Sequence, residues 1–300
     1  MQKRYRVYQV DSFTKEKLRG NPAGVVTNAD GLSDQQMQKI ARELNNSETA
    51  FLFSSESDDY DVKVRFFTPT KEVPICGHAT IAAHYARAME NRFSTTRVLQ
   101  KTGAGILPVD IIRENDDYRI VMTQGKIEVH DALPDKVQQT LAAALGIHLE
   151  DMLESCPVAI ASTGHSKVMV GIKDTNLLHR LHPNMDRLVT LSDEIGCNGY
   201  YVFTMNQEET PMIHGRMFAP AIGINEDPVT GNANGPLGAY LVHYGLVKHD
   251  GVQFAFHAIQ GEIIGRAGTM EVQVEIKNNQ PTEVKIIGDA VIAFSTEIVL

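Results

Sequence analysis

Glu48 lies in the segment NSETAF (46–51), between the hydroxyl side chains Ser47 and Thr49 and at the entry to an apolar run. A carboxylate so placed can take a proton from carbon and return it, which is general acid–base chemistry. The position equally suits a solvated glutamate at a strand edge, or a cap on the helix behind it. A second cluster is Cys76-Gly77-His78, and a third is NEDPVTGNANG (225–235), which carries Asp227, Gly231 and Asn232. Each of these two loops runs into a helix-compatible stretch. The first N–H groups of a helix have no internal partner and carry partial positive charge, so such a terminus receives a carboxylate, enolate or phosphate. Gly77 and Gly231 would let a ligand approach the backbone closely. A thiol at a helix start, as at Cys76, can become acidic. His78 suits a structural role as well as a catalytic one, and Asp227 before Pro228 also reads as a turn aspartate.

The chain that must position these residues is duplicated. RFFTP (65–69) returns as RMFAP (216–220), an offset of 151 residues. The apolar stripe Met37, Ile40, Leu44 returns at the same offset as Leu188, Leu191, Ile195. Gly77-His78-Ala79 matches Gly231-Asn232-Ala233 at an offset of 154, after a three-residue insertion. A period this long is not that of a solenoid and implies two alike domains. The duplication also isolates what differs: Glu48 falls opposite Gly199, His78 opposite Asn232, Asp227 opposite Val73, and Cys76 opposite Thr230. A symmetric pair of thiols is therefore absent, which argues against a two-thiol racemase.

Each half reads as helix, strand, strand, Gly-rich loop, helix. The first helix opens with Ser33 and Gln36 in capping-box spacing. Strands are expected at 49–53 and 62–67, and again at 200–204 and 213–218. Helices rich in small residues are expected near 79–90 and 234–246, each buried and wrapped by the strands of its own half. Three further strands are expected within 96–123, and QGKIEVHDALP reads as the crossover. The first ten residues and the last segment, AVIAFSTEIVL, are strand-like, and the last returns to the first half. The pattern reads as α/β of the α+β kind, with two pseudo-symmetric domains, expected at residues 1–123 with 288–300 and residues 124–287. If the two halves pack about a pseudo-two-fold, both helix starts can point into one cleft.

Composition excludes several classes of function. The formal net charge is −9 over 300 residues and no basic block is present, which disfavours nucleic acid and anionic membranes as partners. There is no apolar run long enough to span a bilayer and no leader-like start. Three scattered cysteines give no disulfide framework and suit a reducing cytoplasm. No dinucleotide, P-loop, zinc-protease or hydrolase-elbow motif occurs, so no cofactor and no metal is expected. His179 and His182 at i, i+3 lack a third ligand beside them in sequence and read as a surface pair.

Five segments together, GNPAGVV (20–26), SETAF (47–51), FFTPTKEVPICGHAT (66–80), EDPVTGNANGPLGAYL (226–241) and QGEIIGRAG (260–268), resemble the phenazine-biosynthesis-isomerase-like family. The likeness runs essentially end to end and is nearest to a bacterial branch of uncharacterised isomerases. It implies a diaminopimelate-epimerase-like fold, each domain a rolled, mostly antiparallel β-sheet around a central helix with the active site in the cleft between the domains, and a homodimer. It also implies proton transfer without cofactor or metal on a small anionic metabolite, with Glu48 as base and then acid. By the same resemblance His78 and Asp227 join Glu48 as catalytic residues, and Gly77, Gly231 and Asn232 contact substrate. Asn232 stands where the characterised isomerase has a serine, which bears on substrate identity. A free carboxylate, with a reference pKa of about 4.3, is a weak base toward carbon. Such a site must exclude water and stabilise the carbanion or enolate. Two other readings stand beside this one: a racemase or epimerase using Cys76 opposite Glu48, and a binding protein that has lost the chemistry.

Overall fold

Ser33 caps the helix α1 (Asp34–Leu44) through the anticipated capping box: Gln36 N–H donates to Ser33 Oγ, and Ser33 N–H donates to Gln36 Oε1. The apolar stripe of α1 then buries Met37, Ile40 and Ala41 against Tyr5, Val7, Phe51 and Phe67. The computed structural model describes residues 3–300. The chain divides into two units: the described part of Met1–Thr123 with Ile287–Leu300, and Gln124–Ile286.

The first unit contains β1 (Arg4–Ser12), β2 (Asn21–Val26), α1, β3 (Thr49–Ser54), β4 (Val62–Phe67) and the short β5 (Glu72–Val73). It continues with α2 (Gly77–Asn91), β6 (Thr96–Thr102), β7 (Gly105–Glu114) and β8 (Asp117–Thr123), and takes in the last strand of the chain, Ala290–Val299. Its sheet runs last strand, β1, β2, β3, β4, β6, β7, β8. Every neighbouring pair is antiparallel except β2–β3 and β4–β6.

The second unit opens with β9 (Glu128–Ala132), α3 (Asp135–Leu145), β10 (Ala159–Ser162), β11 (Lys167–Gly171), α4 (Thr175–His179) and α5 (Met185–Ile195). It goes on through β12 (Tyr200–Met205), β13 (Ile213–Ala219), β14 (Ile224–Asp227), α6 (Gly231–His243), β15 (Gln253–Gln260), β16 (Gly268–Lys277) and β17 (Gln280–Gly288). The order β9, β10, β11, β12, β13, β15, β16 repeats the pattern of the first unit, with its parallel pairs at β11–β12 and β13–β15. Helix α5 and strand β12 begin 151 residues after α1 and β3, and α6 begins 154 after α2. The extra residues fall in a stretch that forms a short 3-10 turn, Pro220–Ile222.

At the centre of each unit is a helix surrounded by strands. Helix α2 packs on β1, β2, β3, β7, β8 and the last strand, and α6 packs on β9, β10, β11, β15 and β16. Burial on all sides limits side-chain size. A Cβ added to Gly238 of α6 would lie 2.8 Å from Val274 Cγ2 and 2.9 Å from Val272 Cγ1. Both helices begin earlier than 79 and 234, so Gly77 and Gly231 are first-turn residues rather than loop residues. Another segment departs from the sequence reading. The crossover stretch contains β9. The Pro- and Gly-containing NPAGVV is β2, seated between β1 and β3. Glycine is required there: a Cβ on Gly24 would lie 2.6 Å from Leu44 Cδ1 and 2.7 Å from Thr49 Oγ1.

His84 on α2 is fully buried, with Nε2 3.0 Å from Gln100 Oε1. Burial pulls its pKa down to about 4. Below pH 6.5 an unfolded chain therefore takes a proton that the folded chain refuses, and stability falls until the folded histidine titrates. The shift corresponds to roughly 3 kcal/mol. Melting temperatures measured between pH 7 and 4.5 are expected to fall, and His84→Gln is expected to flatten that slope. An unchanged slope in the variant would place the acid sensitivity elsewhere.

Candidate functional site

In the first unit, strand pairing and a helix start bring three of the anticipated residues together. Glu48 precedes β3, and its carbonyl accepts from Gly24 N–H at 3.3 Å, so the bare Gly24 fixes the strand entry. Cys76 is the N-cap of α2 and makes no side-chain cap. The first N–H groups of α2 thus have neither an intrahelical acceptor nor a capping side chain from Cys76. Thr80 folds back onto the Cys76 carbonyl through both its N–H (3.0 Å) and its hydroxyl (2.7 Å). Ser12 Oγ donates to the carbonyl of His78 at 2.8 Å, anchoring the first turn to β1.

The His78 ring links the other groups. Its Nε2 lies 3.4 Å from Glu48 Oε2 and 3.3 Å from Ser47 Oγ, and its Nδ1 lies 3.5 Å from Cys76 Sγ. His78 and Glu48 side chains are only 9% and 17% exposed, so bulk water reaches the pair poorly. An ionised carboxylate can only accept, which favours the tautomer with the proton on Nε2. Nδ1 then accepts from the Cys76 thiol. In that arrangement the thiol is a hydrogen-bond donor.

The second unit uses the same frame for different side chains. Arg65 and Arg216 occupy equivalent places in RFFTP and RMFAP. Arg65 forms a bidentate pair with Glu72 and Arg216 one with Glu226, each tying β4 or β13 to the short strand before the helix. The Glu72 and Asp34 carboxylates push the Arg65 pKa up. Asn234 Nδ2 donates back to the Thr230 carbonyl at 3.1 Å, as Thr80 does to Cys76. Asp227 ends β14 and is buried, accepting from the hydroxyl of Thr230. Gly231 and Asn232 form the first turn of α6, the former buried and the latter half-buried. Pro236 has no N–H to offer the Asn232 carbonyl four residues back.

Two residues of this second cluster were not apparent in the sequence. Gln260 is buried and acts as a hub: its Nε2 donates to the Asp227 carbonyl at 2.7 Å, and its Oε1 accepts from Thr230 N–H at 3.1 Å. Lys167, at the start of β11, fills the space left by Gly199: a Cβ there would lie 2.3 Å from Lys167 Cδ. Where the first unit places Glu48, the second places a buried cation. Burial lowers the Lys167 pKa, opposed in part by Cys197 and Asp227. The signal for Lys167 was present in the duplication, since a glycine opposite a glutamate leaves a volume that a neighbouring strand must fill.

The histidine reading also needs correction. His179 does not pair with His182; its Nε2 lies 3.2 Å from Glu262 Oε2, and His214 Nδ1 lies 2.8 Å from the same oxygen. The partners come from β13 and from the loop after β15, distant in sequence, which is why spacing alone did not reveal them. A cavity of about 550 Å³ in the first unit, lined by Arg4, Arg6, Arg87 and Glu90, contains none of the anticipated residues.

A family model described as phenazine biosynthesis-like protein matches residues 10–296. The chain belongs to that family. It is 64% identical over 301 residues to an uncharacterised isomerase of Clostridium acetobutylicum, with 100% of each chain covered. It is 33% identical over 283 residues to the trans-2,3-dihydro-3-hydroxyanthranilate isomerase of Pseudomonas chlororaphis, covering 94% of this chain and 95% of the relative. The crystal structure of a Bacillus anthracis phenazine biosynthesis protein of the PhzF family aligns with a TM-score of 0.87 at 33% identity, covering 99% and 100% of the two chains. No helix among the described residues is long and apolar enough to cross a membrane.

The buried ammonium of Lys167 costs solvation; among the described residues it has no carboxylate in ion-pair range, and its Nζ donates to the Ser166 carbonyl at 3.0 Å. Lys167→Met keeps most of the volume and is expected to hold the melting temperature or raise it by about 3 °C. A drop of several degrees would mean that the charge supports the fold.

Proposed function

We propose that this chain is a cofactor-independent isomerase that moves a proton between two carbons of a small carboxylate-bearing substrate. The observation that carries the reading is the largely shielded Glu48–His78 contact at the start of α2, whose N-cap Cys76 makes no side-chain cap. Glu48 removes a proton from one carbon and becomes a carboxylic acid. The electron pair left behind delocalises toward an electron-withdrawing group of the substrate, and the N–H groups around Gly77 are suited to stabilise that anion. Glu48 then returns the proton to a second carbon and is regenerated as carboxylate, so no atom is gained or lost. His78, donating from Nε2, orients the carboxylate, and Ser47 shares that nitrogen. Asp227 completes the catalytic set in this proposal, with Gly231 and Asn232 as substrate contacts.

The named activity of the Pseudomonas chlororaphis relative supports the reaction class and suggests where to look for substrate. A carboxylate-bearing ring or amino-acid-like molecule fits a helix N-terminus as anion site. The thiol-assisted alternative draws on Cys76 lying within reach of His78. The tautomer argued above works against it, because it leaves Cys76 as a hydrogen-bond donor.

The test begins with carboxylate-bearing ring compounds, trans-2,3-dihydro-3-hydroxyanthranilate among them, screened by thermal shift. With a ligand in hand, exchange of its C–H proton in deuterium oxide is followed by mass spectrometry. Glu48→Gln is expected to retain binding and lose about a thousandfold in exchange rate. Near-wild-type exchange in that variant would remove Glu48 from the mechanism. Cys76→Ala is expected to keep most of the exchange activity. A loss of about a thousandfold there, about 4 kcal/mol of transition-state stabilisation, would favour the thiol mechanism.

A further inference from the structure

The cluster formed by His179, His214 and Glu262 lies in the second unit and has no part in the proton transfer proposed for Glu48. We infer that it is a binding site for a divalent transition-metal ion of the zinc type. Each residue offers one ligand atom, and these atoms all lie within 4.8 Å of one another. Two imidazoles and a carboxylate form a donor set that suits zinc and its neighbours better than magnesium or calcium, which prefer all-oxygen shells.

Two of the three ligand spacings are already close to those of a metal shell, and the third, between the imidazole nitrogens, is within 4.8 Å. Zinc holds nitrogen and oxygen ligands at about 2.0–2.2 Å, so tetrahedral ligand atoms sit about 3.3 Å apart. Glu262 Oε2 is already 3.2 Å from His179 Nε2 and 2.8 Å from His214 Nδ1. Opening the shorter contact by a few tenths of an ångström would make room. The side chains are 30%, 24% and 26% exposed, so the ion has access from solvent and a coordination position remains for water.

The ligands are also held from behind. Arg216, two residues along β13 from His214, donates through Nη1 to the carbonyls of Leu178 (3.0 Å) and Leu181 (2.9 Å). That fixes the end of α4, and with it His179, against β13. The Glu262 loop is closed by Arg266 N–H donating to the Gly261 carbonyl at 3.0 Å. The three ligands thus come from a helix end, a strand and a loop, each tethered by contacts that do not involve the ligand atoms. Metal binding would replace the hydrogen bonds that the imidazoles now make to one carboxylate oxygen.

The experiment uses the intact protein, stripped with chelator and dialysed. Zinc chloride is titrated by calorimetry, and cobalt(II) is titrated by visible absorption, where a tetrahedral site gives intense d–d bands. One equivalent per chain, with micromolar or tighter affinity, is expected. His214→Gln and Glu262→Gln are each expected to weaken binding at least tenfold and to abolish the zinc-induced rise in melting temperature. His179→Gln, at the end of a short helix, is a third variant should either of the others fold poorly. His182→Gln is expected to bind as the wild type does. Glu48, Cys76 and His78 also place ligand atoms within 4.8 Å of one another. Uptake lost in Cys76→Ser but retained in His214→Gln would overturn the assignment, as would the absence of stoichiometric uptake by the wild-type protein.

Discussion

The structure depends on one steric constraint: in each unit a helix is enclosed by the sheet that curls around it. A helix buried on all sides has no solvent face, so small residues must line it. Ala79, Ala82, Ala83 and Ala86 do this in α2, and Gly235, Gly238 and Ala239 in α6. His84, fully buried on α2, meets Gln100 through Nε2. The enclosed helix also begins inside the protein, where water does not readily serve its first N–H groups. Neither Cys76 nor Thr230 caps its helix with a side chain. Each unit therefore has an enclosed helix start without a side-chain cap from its N-cap residue.

Around that shared frame the chemistry diverges. The supporting contacts are duplicated: Arg65–Glu72 with Arg216–Glu226, and Thr80 with Asn234 folding back on the residue before the helix. The groups suited to react are not. Glu48 has no counterpart side chain at Gly199, and Lys167 occupies that volume instead. His78 faces a carboxylate and a thiol, whereas Asp227 is held by Thr230 and Gln260. The duplication thus keeps the supports common to both units while the side chains at the two helix starts differ.

Much of this was legible in the sequence because it is local or periodic. The capping box at Ser33, the stripe of α1 and its repeat in α5 depend on residues three or four apart, and they form as spacing implies. The mismatched positions of the duplication pointed to Glu48 and His78 among others, and the structure brings these two within 3.4 Å. What escaped was non-local. Strand β2 carries Pro22 and Gly24, and the close approach of Leu44 and Thr49 to Gly24 comes from other segments. Gln260 and Lys167 take their meaning from partners on other strands, and His179 from β13 and a distant loop. No spacing rule within one segment reports such contacts.

The central claim is that a single carboxylate carries the proton from one carbon to the other. It is tested most directly by a single-turnover experiment in ordinary water with a substrate deuterated at the donor carbon. Glu48 is 17% exposed, so exchange with solvent is slowed. The account predicts that part of the deuterium appears at the acceptor carbon of the product. Product with only protium at that carbon, and with the deuterium lost to water, would contradict a one-base shuttle and indicate separate groups for removal and return.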